Sequence, residues 1–383
     1  MDLVYLIEGM FNSAGMERVV ANKANYFSQR GYNVIVITTD QGGKPYYYKL
    51  NDNVTCLDLD VNFRNYAHYF ILFRVLIYYY KTFLFKKRLS KFLYEKKVGV
   101  VISLMLRSSD FLHKIKDGSV KIIEHHFSYD YASFFSKAQR RGFFLRFVYS
   151  FRGKMVENQL RKYDRFVVLT EEDAVLWRSH LQNVEVIPNS VTFHTNQLAS
   201  VGNKIVLAVG RLEFQKGFDR LLEVWRLIHQ RNSDWKLHIY GDGQDKKALM
   251  SIVEQNNMSE SITFFPPTKD IQQVLLSGSV YAMTSRFEGF PMILIEAMSC
   301  GLPVVSFACK CGPSDIISDS EDGFLIEDGN VSDFAEKLSE LMQNPQLILQ
   351  MGALAKHNME RFSEQEVMGK WEKLFSQLTK GKK

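Results

Sequence analysis

Two glutamates occupy unusual positions in the stretch 285–301, "SRFEGFPMILIEAMSCG". The pattern predicts a turn carrying Glu288, then a helix that starts at Pro291, carries Glu296 among apolar residues and stops at Gly301. A carboxylate buried without a partner costs several kcal/mol, so each position needs a reason. Since a carboxylate accepts two hydrogen bonds, it suits the vicinal diol of a ribose or a hexose. For Glu296, a helix carboxylate that reaches solvent or a nearby salt bridge is the alternative.

Two cations follow another predicted strand. The segment "IVLAVG" ends at Gly210, and Arg211 and Lys216 stand on the short connection before an amphipathic helix. At the carboxyl end of a strand, beside a helix N-terminus, two cations suit a diphosphate whose negative charge grows as a leaving group departs. Two solvated surface charges are the alternative.

Two further strand ends carry candidate ligand-binding residues. After the first strand, "GMFNSAGMERVV" places Gly9 and Gly15 where small residues let backbone N–H groups approach an anion. An ordinary strand-to-helix turn is the alternative there. The fourth strand ends in "EHH". His125 and His126 would point to opposite faces if the strand continues, so at most one should face a ligand.

The remaining motifs favour structural roles. The D-x-D of "LDLD" (57–60) lies in an alternating, strand-like segment, which argues against a metal clamp. The "GDG" around Asp242 lacks the rest of a dinucleotide fingerprint and is interpreted as a turn on the nucleotide side of the site. Asp315 follows a Gly-Pro turn and suits a helix-capping or dipole role. Four cysteines without a CxxC pair indicate a reducing, cytoplasmic setting, and no histidines cluster at metal-ligand spacing.

The order of apolar segments predicts an α/β protein. Strand candidates alternate with helix-length segments, as in parallel, doubly wound sheets with both faces covered. They are 3–8, 33–39, 98–104, 120–126, 165–170, 184–189, 204–210, 235–241, 261–266, 280–285 and 302–307. A polar segment at 191–203 is the expected linker between two Rossmann-like domains, 1–190 and 204–361. Ligands of such sheets bind beyond the carboxyl ends of the strands, so two facing sheets would hold a ligand between them.

Basic charge is concentrated in one aromatic segment. Residues 61–97 hold nine Lys or Arg and one acid, a charge of +8, whereas the whole 383-residue chain carries +6. Arg74 and Lys81 interrupt its apolar run, so a transmembrane span is not expected. The segment suits a helix lying on an anionic membrane surface, and a core helix with a solvated basic face is the alternative. No nucleic-acid partner is expected, because no recognised binding signature accompanies the charge. The N-terminus lacks a basic n-region, so no signal peptide is expected.

Taken in order, these motifs resemble the retaining glycosyltransferases of family 4, which have the GT-B fold. The resemblance covers nearly the whole chain, and "GRLEFQKGFD" together with the Glu-x7-Glu of Glu288 and Glu296 is its most specific part. It implies two Rossmann-like domains facing across a cleft, with a final helix at about 362–379 that packs back on the first domain. The implied reaction moves a hexose or N-acetylhexosamine from a nucleotide-diphosphate sugar, with UDP favoured, to a hydroxyl of a lipid-linked or cell-surface glycan. By the same resemblance, domain 1–190 would bind the acceptor and domain 204–361 the donor. The basic segment 61–97 of the first domain suits a lipid-linked or anionic glycan as the acceptor. Neither a metal nor another cofactor is expected, and the location would be the cytoplasmic face of the membrane.

The resemblance also assigns residues. The expected catalytic residues are Glu288, His125, Arg211 and Lys216. The expected donor-binding residues are Gly15, Arg211, Lys216, Asp242, Glu288, Gly289, Phe290, Pro291 and Glu296. The acceptor-side candidates are Gly9, Glu17 and His126. Asp315 stands where many members have Glu, so this position departs from the family pattern by a shorter side chain. Two alternatives stay open, namely a nucleotide-sugar 2-epimerase of the same architecture and a non-catalytic scaffold at the membrane.

Overall fold

The computed structural model describes residues 1–13, 15–63, 71–129 and 155–380. The chain divides into two compact units. The first comprises Met1–Leu169, Asp173–Ile187 and Met368–Lys383, and the second comprises Thr170–Glu172 and Pro188–Val367. The last helix, from Met368 onward, therefore belongs to the first unit.

The first unit is built on a seven-stranded parallel sheet. Its strands are β1 (Asp2–Ile7), β2 (Asn33–Thr38), β3 (Thr55–Asp58), β4 (Val100–Ser103), β5 (Val120–Glu124), β6 (Arg165–Val168) and β7 (Val184–Val186). They lie in the order β3-β2-β1-β4-β5-β6-β7, so the direction of winding reverses between β1 and β4. The helices with defined bounds are α1 (Gly15–Gln29), α2 (Ile71–Lys96), α3 (Glu171–Arg178), which starts in the second unit, and the final α11 (Glu364–Lys380).

The second unit holds a six-stranded parallel sheet. Its strands are β8 (Ile205–Val209), β9 (Lys236–Tyr240), β10 (Ile262–Phe265), β11 (Val280–Met283), β12 (Val304–Phe307) and β13 (Gly323–Ile326). The order is β10-β9-β8-β11-β12-β13, with the reversal between β8 and β11. The helices are α4 (Phe218–Ile228), α5 (Lys246–Gln255), α6 (Ile271–Leu276), α7 (Met292–Ser299), α8 (Pro313–Ile316), α9 (Val331–Gln343) and α10 (Pro345–Asn358).

Each unit has its own hydrophobic core, which explains why the strands are continuous apolar runs. β1, β2 and β5 are buried along almost their whole length. Phe85 and Phe166 fill the core of the first unit, and Trp225, Phe307 and Phe334 fill that of the second. Strands covered on both faces need apolar residues at successive positions. The predicted α/β architecture with parallel sheets is confirmed.

The predicted strands differ from the observed ones mainly at their ends. All eleven predicted strands overlap an observed strand, but most are too long, because the apolar pattern continues into the loops after the strands. β3 overlaps the start of the "LDLD" segment at 57–60, which the sequence pattern also indicates to be strand-like. β13 was not predicted, since "FLI" alone is too short a signal to separate from a loop.

The parallel pairing of β11 with β8 runs from Val280 and Val206 to Tyr281 and Leu207. Near the end of β8, the buried hydroxyl of Tyr281 bonds to the backbone of Val209. It donates to the carbonyl at 3.2 Å and accepts the N–H at 3.3 Å. A point where strand order reverses is where ligands bind in open α/β sheets. The carboxyl ends of β8 and β11 therefore define the place to look for a site in this unit.

Helix α2 has two different faces. Phe85, Leu89 and Leu93 are buried in the core of the first unit. Arg88 donates to the carbonyls of Leu59 and Asp60, so this cation is tied to the chain itself. Within the described residues, no helix has the length and apolar character needed to cross a bilayer.

Gly217, on the connection after β8, has φ +64°, and a Cβ there would lie 2.1 Å from the carbonyl oxygen of Thr284. We expect Gly217→Ala to lower the unfolding free energy by about 2 kcal/mol. That corresponds to a Tm lowered by roughly 4–8 °C, measurable by calorimetry. Gly369→Ala is the control, since no atom lies within 4 Å of a Cβ at that helical position. A variant Gly217→Ala that unfolds at the wild-type temperature would contradict this account.

Candidate active site

Glu288 lies in the loop between β11 and α7 and is 6% exposed. Its Oε1 accepts hydrogen bonds from Lys216 Nζ at 2.7 Å and from Ser285 Oγ at 2.6 Å. The backbone of the loop is fixed too, because the Glu288 N–H donates to Lys310 O and the Cys311 N–H donates to Glu288 O. The charge of Lys216 and the hydroxyl of Ser285 together explain how this carboxylate tolerates burial.

The two predicted cations are in different environments. Lys216 ends the short turn Phe214–Lys216, and its ammonium is largely covered beside Glu288. The Arg211 side chain is 66% exposed, and its guanidinium contacts near neighbours, the carboxylate of Glu213 at 3.1 Å and Gln215 Oε1 at 3.3 Å. The structure thus brings Lys216 together with Glu288, while Arg211 stays on the surface.

Glu296 projects from α7 and is 3% exposed. One of its oxygens accepts a hydrogen bond from Thr192 Oγ1 at 2.5 Å. The predicted helix start needs a correction of one residue. Pro291 is the N-cap with ψ 84°, outside the helical range, and the helix begins at Met292 because the loop that carries Glu288 is still turning at the proline. The predicted stop is confirmed, with Gly301 at φ +76° directly after the C-cap.

Backbone packing brings the "GDG" turn next to the Arg211 loop. The N–H of Leu212 donates to the carbonyl of Asp242 at 2.9 Å. A Cβ on Gly243 would lie 2.3 Å from the Leu212 carbonyl oxygen, so only glycine permits this approach. The carboxylate of Asp242 is mostly exposed and accepts the N–H of Gly243. In the loop before α7, Phe290 is buried against the ring of Phe362.

Asp315 caps a helix other than its own. Its carboxylate accepts the N–H groups of Glu171 at 2.7 Å and Glu172 at 3.3 Å, the first two residues of α3. Asp315 therefore has a capping role, as the sequence suggests, but it caps a helix that lies far away in sequence.

The predicted residues of the first unit lie at the carboxyl edge of its sheet. Gly9 follows β1, and Gly15 is the first residue of α1. Glu17 is buried in the first turn of α1, where the side-chain amide of Asn12 donates to it at 3.3 Å. Ala14 lies outside the described residues.

The two histidines have separate surroundings, and strand alternation does not set their directions because β5 ends at Glu124. His125 lies among the rings of Phe166, Trp177 and Phe127, at centroid distances of 5.7, 5.7 and 6.1 Å. Burial lowers the pKa of His125 to about 3, so its ring is neutral at physiological pH.

His126 Nε2 lies 3.0 Å from Glu124 Oε1, which also forms a buried ion pair with Lys23 of α1. Burial alone would raise the pKa of Glu124, but the neighbouring Lys23 and the contact with His126 lower it to about 2. The ammonium of Lys23 also lies 4.2 Å from the ring centroid of Trp371 in α11.

The sequence interpretation missed the partners of the predicted residues. Ser285 ends the predicted strand 280–285, and its spacing of three from Glu288 is a signal for a local hydrogen bond that the interpretation did not use. Thr192 stands 104 residues before Glu296, and Lys23 stands 101 residues before Glu124, so no local pattern relates them.

Comparison with known proteins identifies the class. The description "Glycosyltransferase Family 4" matches residues 13–194, and "Glycosyl transferases group 1" matches residues 191–358. The amylovoran biosynthesis glycosyltransferase AmsD of Erwinia amylovora is 31% identical over 96% of this chain and 98% of its own. An uncharacterised glycosyltransferase of Haemophilus influenzae is 29% identical over the same shares. A crystal structure of a variant of S. aureus TarM with fondaparinux, alpha-GlcNAc-glycerol and UDP has a TM-score of 0.75, at 18% identity over 98% of this chain and 99% of that one.

The two parallel-sheet units and this similarity define the GT-B fold. The chain belongs to glycosyltransferase family 4 and is a glycosyltransferase, which confirms the expected fold and family.

The burial of His125 gives a pH prediction. Its folded pKa of about 3 lies below the value of about 6.5 for an unfolded histidine, so between pH 7 and pH 5 the unfolded state binds a proton that the folded state does not. Stability therefore falls as the pH falls. We expect this residue to contribute a loss of about 2 kcal/mol over that interval.

Urea unfolding of the wild type and of His125→Phe at both pH values measures this loss, which the variant should lack. His357→Phe is the control, because that ring is exposed and solvated in both states. An equal pH dependence in wild type and His125→Phe would show that the ring is not held neutral.

Proposed function

We propose that this protein is a retaining hexosyltransferase that uses a UDP-sugar donor, needs no metal, and glycosylates a hydroxyl of a lipid-linked or cell-surface glycan. The observation that carries the proposal is the buried Lys216–Glu288–Ser285 cluster at the carboxyl ends of β8 and β11, where the strand order reverses. AmsD acts in amylovoran biosynthesis, which supports a role in polysaccharide assembly. The UDP in the TarM complex supports that nucleotide.

Glu296 and Glu288 would bind opposite parts of the donor. A ribose diol would donate to the carboxylate of Glu296, and the transferred sugar would donate to Glu288. The diphosphate would lie near Lys216 and Arg211. An ammonium has three N–H donors, so Lys216 can keep its bond to Glu288 while it donates to a phosphate oxygen. Arg211 is exposed and can turn its guanidinium fork towards the same group.

The proposed transfer is a front-face displacement. The bond between the anomeric carbon and the diphosphate oxygen breaks as the acceptor oxygen bonds to the same face of that carbon. The acceptor proton passes to the departing diphosphate. Lys216 and Arg211 stabilise the negative charge that grows there, the role that a metal ion has in other transferases. A neutral His125 would hydrogen-bond the sugar without adding charge near the reacting carbon.

Replacing Glu288 by Gln tests this assignment, because Gln keeps the size and can still accept from Ser285 but lacks the charge. We expect the rate of sugar transfer to fall by at least about 100-fold. We expect Glu296→Gln to weaken UDP binding by about tenfold or more, as for a lost hydrogen bond to a charged group. Transfer to water or acceptor from UDP-glucose, UDP-galactose and UDP-N-acetylglucosamine gives the rates, and calorimetry gives the affinities.

Glu223→Gln is the control, because it makes the same change on the exposed face of α4. NMR of the product gives its anomeric configuration, and an inverted product would contradict the retaining mechanism. Nucleotide release with an epimerised free sugar would favour the epimerase. Wild-type turnover by Glu288→Gln would remove Glu288 from the mechanism.

The partner of α2 in this proposal is an anionic membrane surface. Phe73, Leu76, Tyr80 and Phe83 are spaced three and four residues apart on one helical face, and each is 61–66% exposed. Lys86 and Lys87 lie exposed beyond them, and the sequence has no acid between Val61 and Tyr94. Exposed aromatic residues beside cations match the interface of an anionic bilayer. The contacts of Arg88 to the chain leave it out of this surface.

We expect Lys86→Glu/Lys87→Glu to weaken binding to phosphatidylglycerol vesicles by at least tenfold, at about 1 kcal/mol per basic residue lost. Phe73→Ser/Leu76→Ser/Phe83→Ser should also weaken it. Co-sedimentation with phosphatidylglycerol and with phosphatidylcholine vesicles measures both effects.

The matched control is Arg226→Glu/Lys247→Glu, which makes the same charge change at exposed positions of the second unit. Equal binding of the wild type to neutral and anionic vesicles would overturn the membrane assignment. A helix face that instead covers another copy of the chain would appear as a dimer in light scattering that the serine variant abolishes.

A further inference from the structure

A second strand reversal, in the first unit, carries an arginine that the sequence interpretation did not single out. β1 and β4 stay paired as far as the Leu104 N–H, which donates to Leu6 O. Beyond that point the chain after β1 continues along β2, since the carbonyl of Glu8 accepts from Thr39 and Asp40. The chain after β4 turns into the short helix Leu106–Ser108 instead. The divergence places Arg107 beside Glu8.

The guanidinium of Arg107 is held in place but poorly partnered. Its Cζ lies 4.8 Å from the ring centroid of buried Phe63, a stacking contact that pre-organises the fork. Nη1 lies 3.3 Å from Glu8 Oε1. That contact lacks hydrogen-bond geometry, and Nη1 is buried without a hydrogen bond to any described residue. A buried donor without a hydrogen bond is costly. An acceptor that forms well-aligned hydrogen bonds with the guanidinium would therefore stabilise this arrangement.

The loop behind Arg107 is rigid. Ser108 Oγ donates to Met105 O at 2.8 Å and lies 2.8 Å from Ser103 Oγ. The hydroxyl of Tyr163 donates to the carbonyls of Ser108 and Ser109, both at 3.1 Å. The arginine is therefore presented by a fixed support, which is what a recognition residue needs.

A second cation at the carboxyl edge of this sheet also lies over an aromatic ring. The loop after β2 places Lys44 Nζ 4.1 Å from the ring centroid of Phe11 in the loop after β1. The two loops are joined by the Met10 N–H to Gln41 Oε1 at 2.9 Å and by the Tyr47 N–H to Met10 O at 2.8 Å. The β1 edge thus has cations stacked on aromatic rings, a surface suited to a sugar that carries a negative charge.

We propose that Arg107 binds an oxyanion, a phosphate or a carboxylate, on the glycan acceptor, with Glu8 as the internal competitor that this anion displaces. The proposal rests on the proposed function, because a transferase must bind its glycan acceptor, and the expected acceptor-side residues Gly9, Glu17 and His126 all belong to the first unit. A ligand oxyanion gives the fork two parallel hydrogen bonds, which Glu8 does not give it. The partly exposed Arg107–Glu8 pair is weak enough to exchange, as exposed ion pairs generally are.

Two variants should act in opposite directions. Arg107→Gln should weaken binding of α-glucose 1-phosphate or glucuronic acid by at least tenfold, and Arg107→Lys should weaken it less, since it keeps the charge but loses the fork. Glu8→Gln should tighten binding several-fold, because the competing charge is gone. A salt bridge with only a structural role would lower the Tm in both variants and leave anion binding unchanged.

Saturation-transfer NMR with saturating UDP measures the affinities of the two anionic sugars and of neutral methyl α-glucoside. Whichever anionic sugar binds more tightly identifies the acceptor group. Arg30→Gln is the matched control, because Arg30 also lies over an aromatic ring, at 4.9 Å from the centroid of Tyr26, at the far end of α1. The proposal is overturned if methyl α-glucoside binds as well as both anionic sugars, or if Arg107→Gln loses no affinity.

UDP binding measured in the same samples keeps the two proposals separate. Loss of anion binding in Arg107→Gln with UDP affinity intact supports the arginine site. Absence of UDP binding in the wild type would defeat the proposed donor, while the difference between wild type and Arg107→Gln would still decide the role of Arg107.

Discussion

A charged group can stay buried only where other groups satisfy it, and the second unit is organised around that requirement at Glu288. Lys216 arrives from the connection after β8, and Ser285 arrives from the end of β11. Both loops are held in place by further bonds, since Gln215 Nε2 donates to Phe287 O at 3.1 Å and Arg286 forms an ion pair with Asp219. Gly217 permits the approach because a side chain there would collide with Thr284. The carboxylate thus dictates the conformation of two loops.

The first unit also contains a buried carboxylate that other groups satisfy, but its role there is structural. Glu124 is fully enclosed, and its partners come from α1 and from the residues after β5, while Trp371 of the last helix covers Lys23. Removing one partner of such a pair would leave an uncompensated charge in a low dielectric. The "EHH" motif therefore includes a structural ion pair, and His126 is oriented by it. His125 is set apart as a neutral ring among aromatic residues.

Both sheets place their charged groups at the strand reversal, where loops diverge and backbone groups become accessible. In the second unit these groups are Lys216 and Glu288, and in the first they are Arg107 and Glu8. One pair is buried with ideal hydrogen bonds, whereas the other is half-exposed without them. That contrast separates a buried, pre-organised cluster from a partly exposed pair that is loosely held.

The order of residues alone predicts the parallel α/β architecture, because strands covered on both faces must be apolar at successive positions and helices must be amphipathic. It also indicated Glu288, Glu296, Arg211 and Lys216, because charged residues at strand ends and in an apolar helix are costly unless something pairs with them. The sequence pattern did not predict the short β13 or the exact strand ends, since a three-residue apolar signal does not separate a strand from a loop.

Which polar and charged groups contact one another is set by the packing of the fold. Thr192 and Glu296, or Lys23 and Glu124, are about a hundred residues apart, and their contact follows from packing that no local pattern encodes. Likewise, the fold joined Lys216 to Glu288 and left Arg211 on the surface, although the two cations look alike in sequence. Charge and period are local properties of a chain, whereas burial and partnership depend on the whole core.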